Sequence, residues 1–213
     1  MLEQYDDLLA NVRHDGQYHS IRSLVQPQDA EVMAVAAILS ETPNFVVACQ
    51  NFVDSFTTYA REVGDFWAIP EETMTPHCPL CDSLLLLPID EAYDAYVCAR
   101  CAWQGRPLRR GDCDDKAILL TSLLRYEIPA EQVFCAVGDH ILGGRREGHM
   151  WVVIWDGESW YDYIVEATAP SQATVRGHYE LMAIFNDEKA FAYPQGLRKF
   201  DLHPVSMREL VSA

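Results

Sequence analysis

The chain has 213 residues, of which 49% are hydrophobic and 23% charged, and its formal net charge is −16. This composition predicts a sizeable core in one domain with a small insertion, and the acidity argues against nucleic acid or an anionic membrane as a partner. We expect no membrane span, because no apolar run approaches about 18 residues. We expect a cytoplasmic location, since Glu3, Asp6 and Asp7 stand where a signal peptide is basic and then apolar.

Helical spacing of apolar residues is the main pattern in the first seventy residues. It predicts one helix from Gln28 to Ser40 and a second helix that Thr42 caps, with Pro43 in its first turn. Cys49 lies in the apolar stripe of the second helix, so we expect it to be a buried core residue. That stripe consists of Phe45, Cys49, Val53, Phe56 and Ala60.

Residues 74–107 contain four cysteines in two CxxC pairs, which 16 residues separate. Each CxxC turn directs two thiolates to one point, and two such turns complete a tetrahedral sulfur shell. The pattern predicts a structural zinc site, with iron as the alternative, whose ligands are Cys78, Cys81, Cys98 and Cys101. The segment resembles a zinc ribbon with a hairpin formed by residues 84–87 and 93–97. A redox dithiol or a disulfide would not explain two pairs placed together.

The segment from Asp112 to Tyr126 has the pattern of a helix that begins at a polar cap. Asp112 suits the N-cap, and Asp115 three residues later forms a pair like a capping box. Cys113 then takes the first helical position, where the helix dipole and exposed N–H groups favour a thiolate. Asp114 and Asp115 oppose this effect, so a nucleophilic cysteine here needs a positive partner. The alternative is a buried cysteine without a chemical role.

Three strands are predicted after this helix, at Val133–Gly138, His149–Trp155 and Trp160–Glu166. The segment 138–148 is rich in glycine and arginine and is predicted to be a loop. Asp156-Gly157 marks a hairpin turn, and the tail from Ala167 shows no assignable period.

The predicted partner of Cys113 is His149, which opens a strand and can turn one ring nitrogen toward the sulfur. The other ring nitrogen needs an acceptor that fixes its tautomer. Asp162 and Glu166 on the next strand share one parity, and Glu166 is preferred because it ends that strand. His140 is the rival histidine, since it also lies near the start of the histidine strand.

A family resemblance rests on these motifs. The stretch Gly-Asp-Cys-Asp-Asp-Lys-Ala at 111–117 resembles the nucleophile helix of the transglutaminase-like superfamily. His149-x-Trp151 resembles its histidine strand, and the stretch from Trp160 to Glu166-Ala-Thr resembles its acid-x-Thr strand. Upstream, Trp67-Ala-Ile-Pro-Glu-Glu-Thr is similar to the Trp-x-x-Pro-x-Glu-Thr stretch of microbial members.

The resemblance covers roughly residues 30–170 and departs from the family pattern in two ways. The acid is Glu166, where many members have aspartate, and the four-cysteine segment interrupts the approach to the nucleophile. A CxxC metal site before the catalytic cysteine is similar to the arrangement in peptide:N-glycanases, which cleave the amide of glycosylated asparagine.

The resemblance implies Cys113 as nucleophile, His149 as general base and then acid, and Glu166 as the orienting carboxylate. Trp67 is a candidate indole donor to an oxyanion, with a loop-anchoring aromatic as the alternative role.

The implied fold is α+β, a transglutaminase-like and papain-like core of a helical lobe and an antiparallel sheet with a small inserted zinc ribbon. We assign residues 1–73 to the N-terminal helical part, 74–107 to the ribbon, and 108–213 to the catalytic helix and sheet.

The implied activity is acyl transfer at an amide bond of a protein, peptide or glycopeptide, by a protease, amidase or transglutaminase. The alternative is a non-catalytic scaffold whose ribbon binds a protein. A third hypothesis, nucleic-acid binding by the ribbon, is disfavoured by the net charge of −16.

Overall fold

A computed structural model describes residues 1–60, 66–81, 86–90, 95–102, 104–105, 109–155, 163–169 and 177–205. Within these ranges, none of the helices combines the length and the apolar character that crossing a membrane requires. The helices are α1 (Ala30–Ser40), α2 (Phe45–Phe56), α3 (Pro70–Met74), α4 (Cys113–Leu124) and α5 (Pro194–Lys199), with a short 3-10 helix at Arg22–Leu24.

The strands form one large sheet and three small ones. In chain order the strands are β1 (Glu3–Tyr5), β2 (Asp7–Ala10), β3 (His19–Ser20), β4 (Thr58–Tyr59), β5 (Leu86–Asp90), β6 (Ala95–Cys98), β7 (Gln104–Gly105), β8 (Arg110–Gly111), β9 (Val133–Leu142), β10 (Arg145–Ile154), β11 (Ile164–Val165), β12 (His178–Phe185), β13 (Ala190–Ala192) and β14 (His203–Val205). The large sheet has the order β1-β13-β12-β9-β10-β11, and all its neighbouring pairs are antiparallel. The small sheets are β14-β2-β3, the parallel pair β4-β8, and β5-β6-β7.

Helix α4 packs against one face of the large sheet and forms the centre of the core. Every residue from Asp115 to Leu124 is buried, and the helix lies against β9 and β10. Side chains alternate between the faces of a strand, so Met150 and Val152 of β10 face the core around α4, while Trp151 and Val153 belong to a second apolar cluster. This mixture of helices and antiparallel sheet confirms the predicted α+β class.

The two N-terminal helices form where the apolar spacing predicts them, but the cap of α2 differs. Asn44 is the N-cap, and its side chain accepts from the N–H of Val47 at 3.2 Å. The predicted cap, Thr42, instead donates its hydroxyl to the carbonyl of Leu39 at 2.7 Å, at the end of α1. Because the Thr42 side chain bonds to the end of α1, Asn44 rather than Thr42 caps α2. Cys49 is fully buried, as predicted.

The ends of the chain differ most from the predicted pattern. Residues 3–20 contribute three short strands rather than helix, because β1 pairs with β13 and β2 pairs with β14. These partners lie near the other end of the chain, so neither strand is visible from local periodicity. The tail that showed no period forms β12, β13, α5 and β14.

The predicted loop 138–148 is instead the tip of a long hairpin. Strand β9 continues to Leu142, and β10 begins at Arg145. The turn needs only Gly143 and Gly144, whose φ angles of +58° and +80° lie in the left-handed region that glycine adopts without strain. The arginines that suggested a loop are therefore on the hairpin.

The ribbon hairpin forms between β5 and β6, which pair antiparallel, and β7 adds to β6. Leu84 and Tyr93, at the start of the two predicted ribbon strands, lie outside the described residues. So do the Asp156-Gly157 turn, Trp160 and Asp162.

Candidate functional site

The four CxxC cysteines converge on one point. Their sulfur atoms all lie within 4.8 Å of one another. The two closest pairs, Cys78 with Cys101 and Cys81 with Cys98, are each 3.6 Å apart. A disulfide needs about 2.05 Å, whereas a tetrahedron with metal–sulfur bonds of about 2.3 Å has edges of about 3.8 Å. The donor set therefore fits a tetrahedral metal ion and can hold one.

The backbone around this cluster favours ionised thiols. Burial alone would raise the pKa of Cys98, but hydrogen bonds from the backbone N–H groups of Cys101 and Arg100 lower it to about 6. A metal ligand must be a thiolate. The turn after Cys98 thus supplies the electrostatic condition for binding a cation.

A second feature of the molecule is a cleft of about 860 Å³ that opens at the start of α4. Its lining includes Cys113 from α4, His140 from β9, His149 from β10 and Trp67. These residues come from separate segments of the sequence, and the fold brings them to one cleft.

Cys113 is the first residue of α4, and Asp112 is its N-cap, as predicted. The carboxylate of Asp115 accepts from the N–H of Asp112 at 3.1 Å and from the N–H of Ala68 at 2.7 Å. One buried carboxylate thereby joins the helix start to the segment that carries Trp67. This is why Cys113 and Trp67 line the same cleft.

The environment of the Cys113 sulfur keeps it protonated. Burial raises the pKa of the thiol above its ordinary value, and the charge of Asp114 raises it further. The backbone N–H of Met150 hydrogen-bonds the sulfur and opposes these effects only in part. Burial and a hydrogen bond with Asp112 raise the pKa of Asp114 as well. The thiolate expected from the helix dipole is therefore not the resting form.

His149 is held by Glu166. Its Nε2 lies 2.9 Å from Oε2 of Glu166, and both side chains are largely buried. Because β11 pairs with β10 through Val165 and Val152, the residue after β11 arrives beside the histidine. With Nε2 directed to the carboxylate, Nδ1 is the ring nitrogen left for other partners.

Glu166 carries a full set of hydrogen bonds. Its Oε1 accepts from the N–H and the hydroxyl of Thr168, at 3.0 and 2.7 Å, and its Oε2 also accepts from the hydroxyl of Tyr179 at 2.8 Å. Burial alone would raise the pKa of Glu166, but the hydrogen bond and charge of His149, together with Thr168, lower it to about 2. The carboxylate is therefore ionised at neutral pH.

Trp67 and His140 lie at the cleft in structural contacts of their own. Trp67 stacks on Phe185 with 6.0 Å between ring centroids, and its carbonyl accepts from Arg13. His140 stacks on Tyr179 at 4.6 Å and lies 5.6 Å from the His149 ring. Glu166, not the neighbourhood of His140, supplies the acceptor for His149.

Sequence reasoning missed Tyr179 and Gln50. Gln50 of α2 donates to the carbonyls of Glu166 and Ala169 at 2.8 and 3.2 Å and so fixes the backbone that carries the acid. The alternation of buried residues in β12 is a detectable strand signal, but nothing local shows that Tyr179 reaches Glu166.

Comparisons with known proteins give one family match and several structural likenesses. The structure of Legionella pneumophila LapG is 18% identical, with 80% of this chain and 82% of that chain covered and a TM-score of 0.42. Its calcium-bound form is 16% identical, with 76% of each chain covered and a TM-score of 0.41. No curated protein matches the sequence.

The family model described as the Transglutaminase-like superfamily matches residues 97–163. The matched segment contains Cys113 and His149 and ends just before Glu166. The superfamily resemblance that the motifs indicated is thus confirmed over this segment of the chain.

Proposed function

We propose that the chain is a cysteine-dependent acyl-transfer enzyme that acts on an amide bond through Cys113, His149 and Glu166. The observation that carries the proposal is the arrangement of the cleft. A cysteine at the start of a buried helix and a histidine with an ionised carboxylate behind it line one cavity of about 860 Å³. Nucleophile, base and orienting acid are the groups that acyl transfer needs.

In the proposed reaction, Nδ1 of His149 takes the proton from the Cys113 thiol, and the sulfur attacks the substrate carbonyl carbon. The tetrahedral intermediate collapses to a thioester as the carbon–nitrogen bond breaks and His149 returns the proton to the leaving amine. Water or an amine then attacks the thioester, with His149 again as base, and releases the thiol. Glu166 stabilises the imidazolium without accepting its proton.

The oxyanion of the intermediate needs donors, and we propose the N–H groups of the first turn of α4, which lack partners within the helix. We also propose the indole of Trp67 as a donor, since Trp67 lines the cleft. Replacement by phenylalanine keeps an aromatic ring against Phe185 but removes the N–H donor together with part of the indole ring. A lower kcat with unchanged melting temperature would support the donor role over the anchoring role.

We propose that the four-cysteine cluster holds a structural zinc ion. The ligands would be Cys78, Cys81, Cys98 and Cys101, whose spacing in the fold suits a closed tetrahedral site. A closed site offers no open position to a substrate, so the metal would stabilise the turns around β5 and β6. Elemental analysis of purified protein distinguishes zinc from iron.

Two observations favour a second candidate function, a non-catalytic scaffold that binds a protein. Burial and Asp114 raise the pKa of the Cys113 thiol, which disfavours the reactive form. In addition, Leu80 is 70% exposed between the first two cysteines, where an apolar side chain is available to a partner. On this hypothesis Cys113 contributes only packing.

The experiment that decides between them compares wild type with Cys113→Ala on peptide, glutamine-amide and glycosylated-asparagine substrates, with and without an added amine. We expect Cys113→Ala to abolish turnover, because no other thiol lines the cleft among the described residues. The fold and the metal content should stay unchanged, since alanine suits the first turn of a helix.

Cys49→Ala is the matched control, because it removes a buried cysteine from α2 and leaves the cleft intact. We expect this variant to keep its activity. Equal activity of Cys113→Ala and wild type on any processed substrate would refute the cysteine mechanism and leave the scaffold function.

A further inference from the structure

The hydroxyl group of Tyr179 lies behind the His149–Glu166 pair, outside the cleft. The Oη of Tyr179 is 2.8 Å from Oε2 of Glu166, the same oxygen that His149 Nε2 approaches at 2.9 Å. His149 lines the cleft, but Tyr179 does not. Tyr179 is 5% exposed, so a substrate in the cleft does not meet it.

The tyrosine ring is fixed from two sides. Tyr179 and His140 are opposite each other on β12 and β9, and their rings stack at 4.6 Å with an interplanar angle of 24°. The Tyr179 ring also packs edge-on against Trp151, with 4.8 Å between the ring centroids. Trp151 in turn lies over Gly138, where a Cβ would come within 2.9 Å of its ring. Because Gly138 has no side chain, Trp151 can lie against it and contact the edge of the Tyr179 ring. These contacts direct the Tyr179 hydroxyl toward Glu166.

The hydroxyl completes the hydrogen bonds of a buried carboxylate. Each carboxylate oxygen accepts about two hydrogen bonds, and Thr168 already supplies two to Oε1 of Glu166. His149 and Tyr179 fill Oε2. Rotation of the carboxylate would break several of these bonds at once, so the plane of Glu166 is fixed. Burial and the charge of Glu166 raise the pKa of Tyr179, so the phenol remains a donor.

We propose that Tyr179 is a positioning residue for the acyl-transfer reaction, which holds Oε2 of Glu166 in the place where it fixes the tautomer and the orientation of His149. This inference rests on the proposed function, because only a proton-transferring His149 needs a fixed ring. Tyr179 does not line the cleft, and although its ring lies 6.1 Å from the ring of His149, its hydroxyl acts on His149 through Glu166.

The test is Tyr179→Phe, which keeps the ring stack and removes only the hydroxyl. Loss of one hydrogen bond to a charged group should raise the pKa of Glu166 by roughly one unit, as followed by carbon-13 carboxyl titration. Nitrogen-15 shifts of His149 should show that the Nε2–H tautomer is less populated. We expect kcat to fall roughly tenfold, with KM changed by less than about twofold.

Tyr5→Phe is the matched control, since Tyr5 donates to the carboxylate of Glu3 at 2.9 Å on the exposed surface. That variant should leave the Glu166 titration, the His149 shifts and kcat unchanged. Tyr179→Phe spectra identical to those of wild type would overturn the inference, whatever the activity. If the spectra of Tyr179→Phe are altered but the wild-type protein turns over none of the substrates, the positioning contact is upheld and the proposed function is refuted instead.

Discussion

The four-cysteine cluster and the cleft at Cys113 are both built around thiols, but the chain gives these thiols opposite surroundings. Backbone N–H groups lower the pKa of Cys98 to about 6, whereas burial and the charge of Asp114 raise the pKa of Cys113. A ligand has to be a thiolate permanently in order to bind a cation. A nucleophile needs to lose its proton only when substrate is present, provided that a base stands ready.

On the proposed function, activation of Cys113 falls to His149 and Glu166, because desolvation and nearby carboxylates oppose the helix dipole at the start of α4. The ionised Glu166 hydrogen-bonds Nε2 of His149, and His149 lines the same cleft as Cys113. We expect variants of the two sites to differ accordingly.

The largest effect is expected for His149→Ala. Without its imidazole, the Cys113 thiol, whose pKa is raised, loses its proposed base, while the other histidine of the cleft, His140, is stacked on Tyr179. The kcat/KM should fall by roughly a thousandfold or more. The melting temperature should also fall, since Glu166 loses the partner that stabilises its buried carboxylate, so activity is compared at a temperature where both proteins are folded. Retention of more than about a tenth of the activity would show that another group is the base.

Cys98→Ser should impair metal binding and local stability much more than activity. Removing one of four ligands should abolish stoichiometric metal binding and loosen β5, β6 and β7, as measured by elemental analysis and hydrogen exchange. Activity should fall by less than about tenfold, because α4 and the large sheet keep their own core. The two sites would not be independent if kcat fell as far as in His149→Ala.

The same contrast explains how much could be predicted from the sequence. Local spacing pairs the four CxxC cysteines, and Asp112 caps α4, so short motifs predict both features. Glu166 was preferred over Asp162 from its position at a strand end, and it is Glu166 that contacts His149. Strands β1 and β2, the extension of β9 and the contact of Tyr179 with Glu166 depend on pairing between distant segments, which no local pattern encodes.

Gly138→Ala tests whether close strand packing supports the cleft. A Cβ at Gly138 would clash with the carbonyl oxygen of Glu180 on β12, so β9 and β12 would have to separate. The free energy of unfolding should fall by about 1–3 kcal/mol, measured by urea denaturation. Gly148→Ala is the control, because its Cβ would meet only Phe200 at 3.8 Å. Equal stability of the two variants would contradict this account of the sheet.

The smallest effect concerns the fall in the free energy of unfolding at low pH. The pKa of Glu166 is lowered from 4.5 to about 2 in the folded chain, so ionisation of this carboxylate favours the folded state. That contribution is complete above about pH 4.5 and is lost as the pH falls toward about 2. It amounts to roughly 3 kcal/mol. Glu166→Gln cannot titrate, so its free energy of unfolding should decline less steeply over this interval than that of wild type. Glu41→Gln, which removes an exposed carboxylate at the end of α1, should follow the wild-type slope. Parallel acid limbs for Glu166→Gln and wild type would show that the carboxylate behind His149 is not held ionised by the fold.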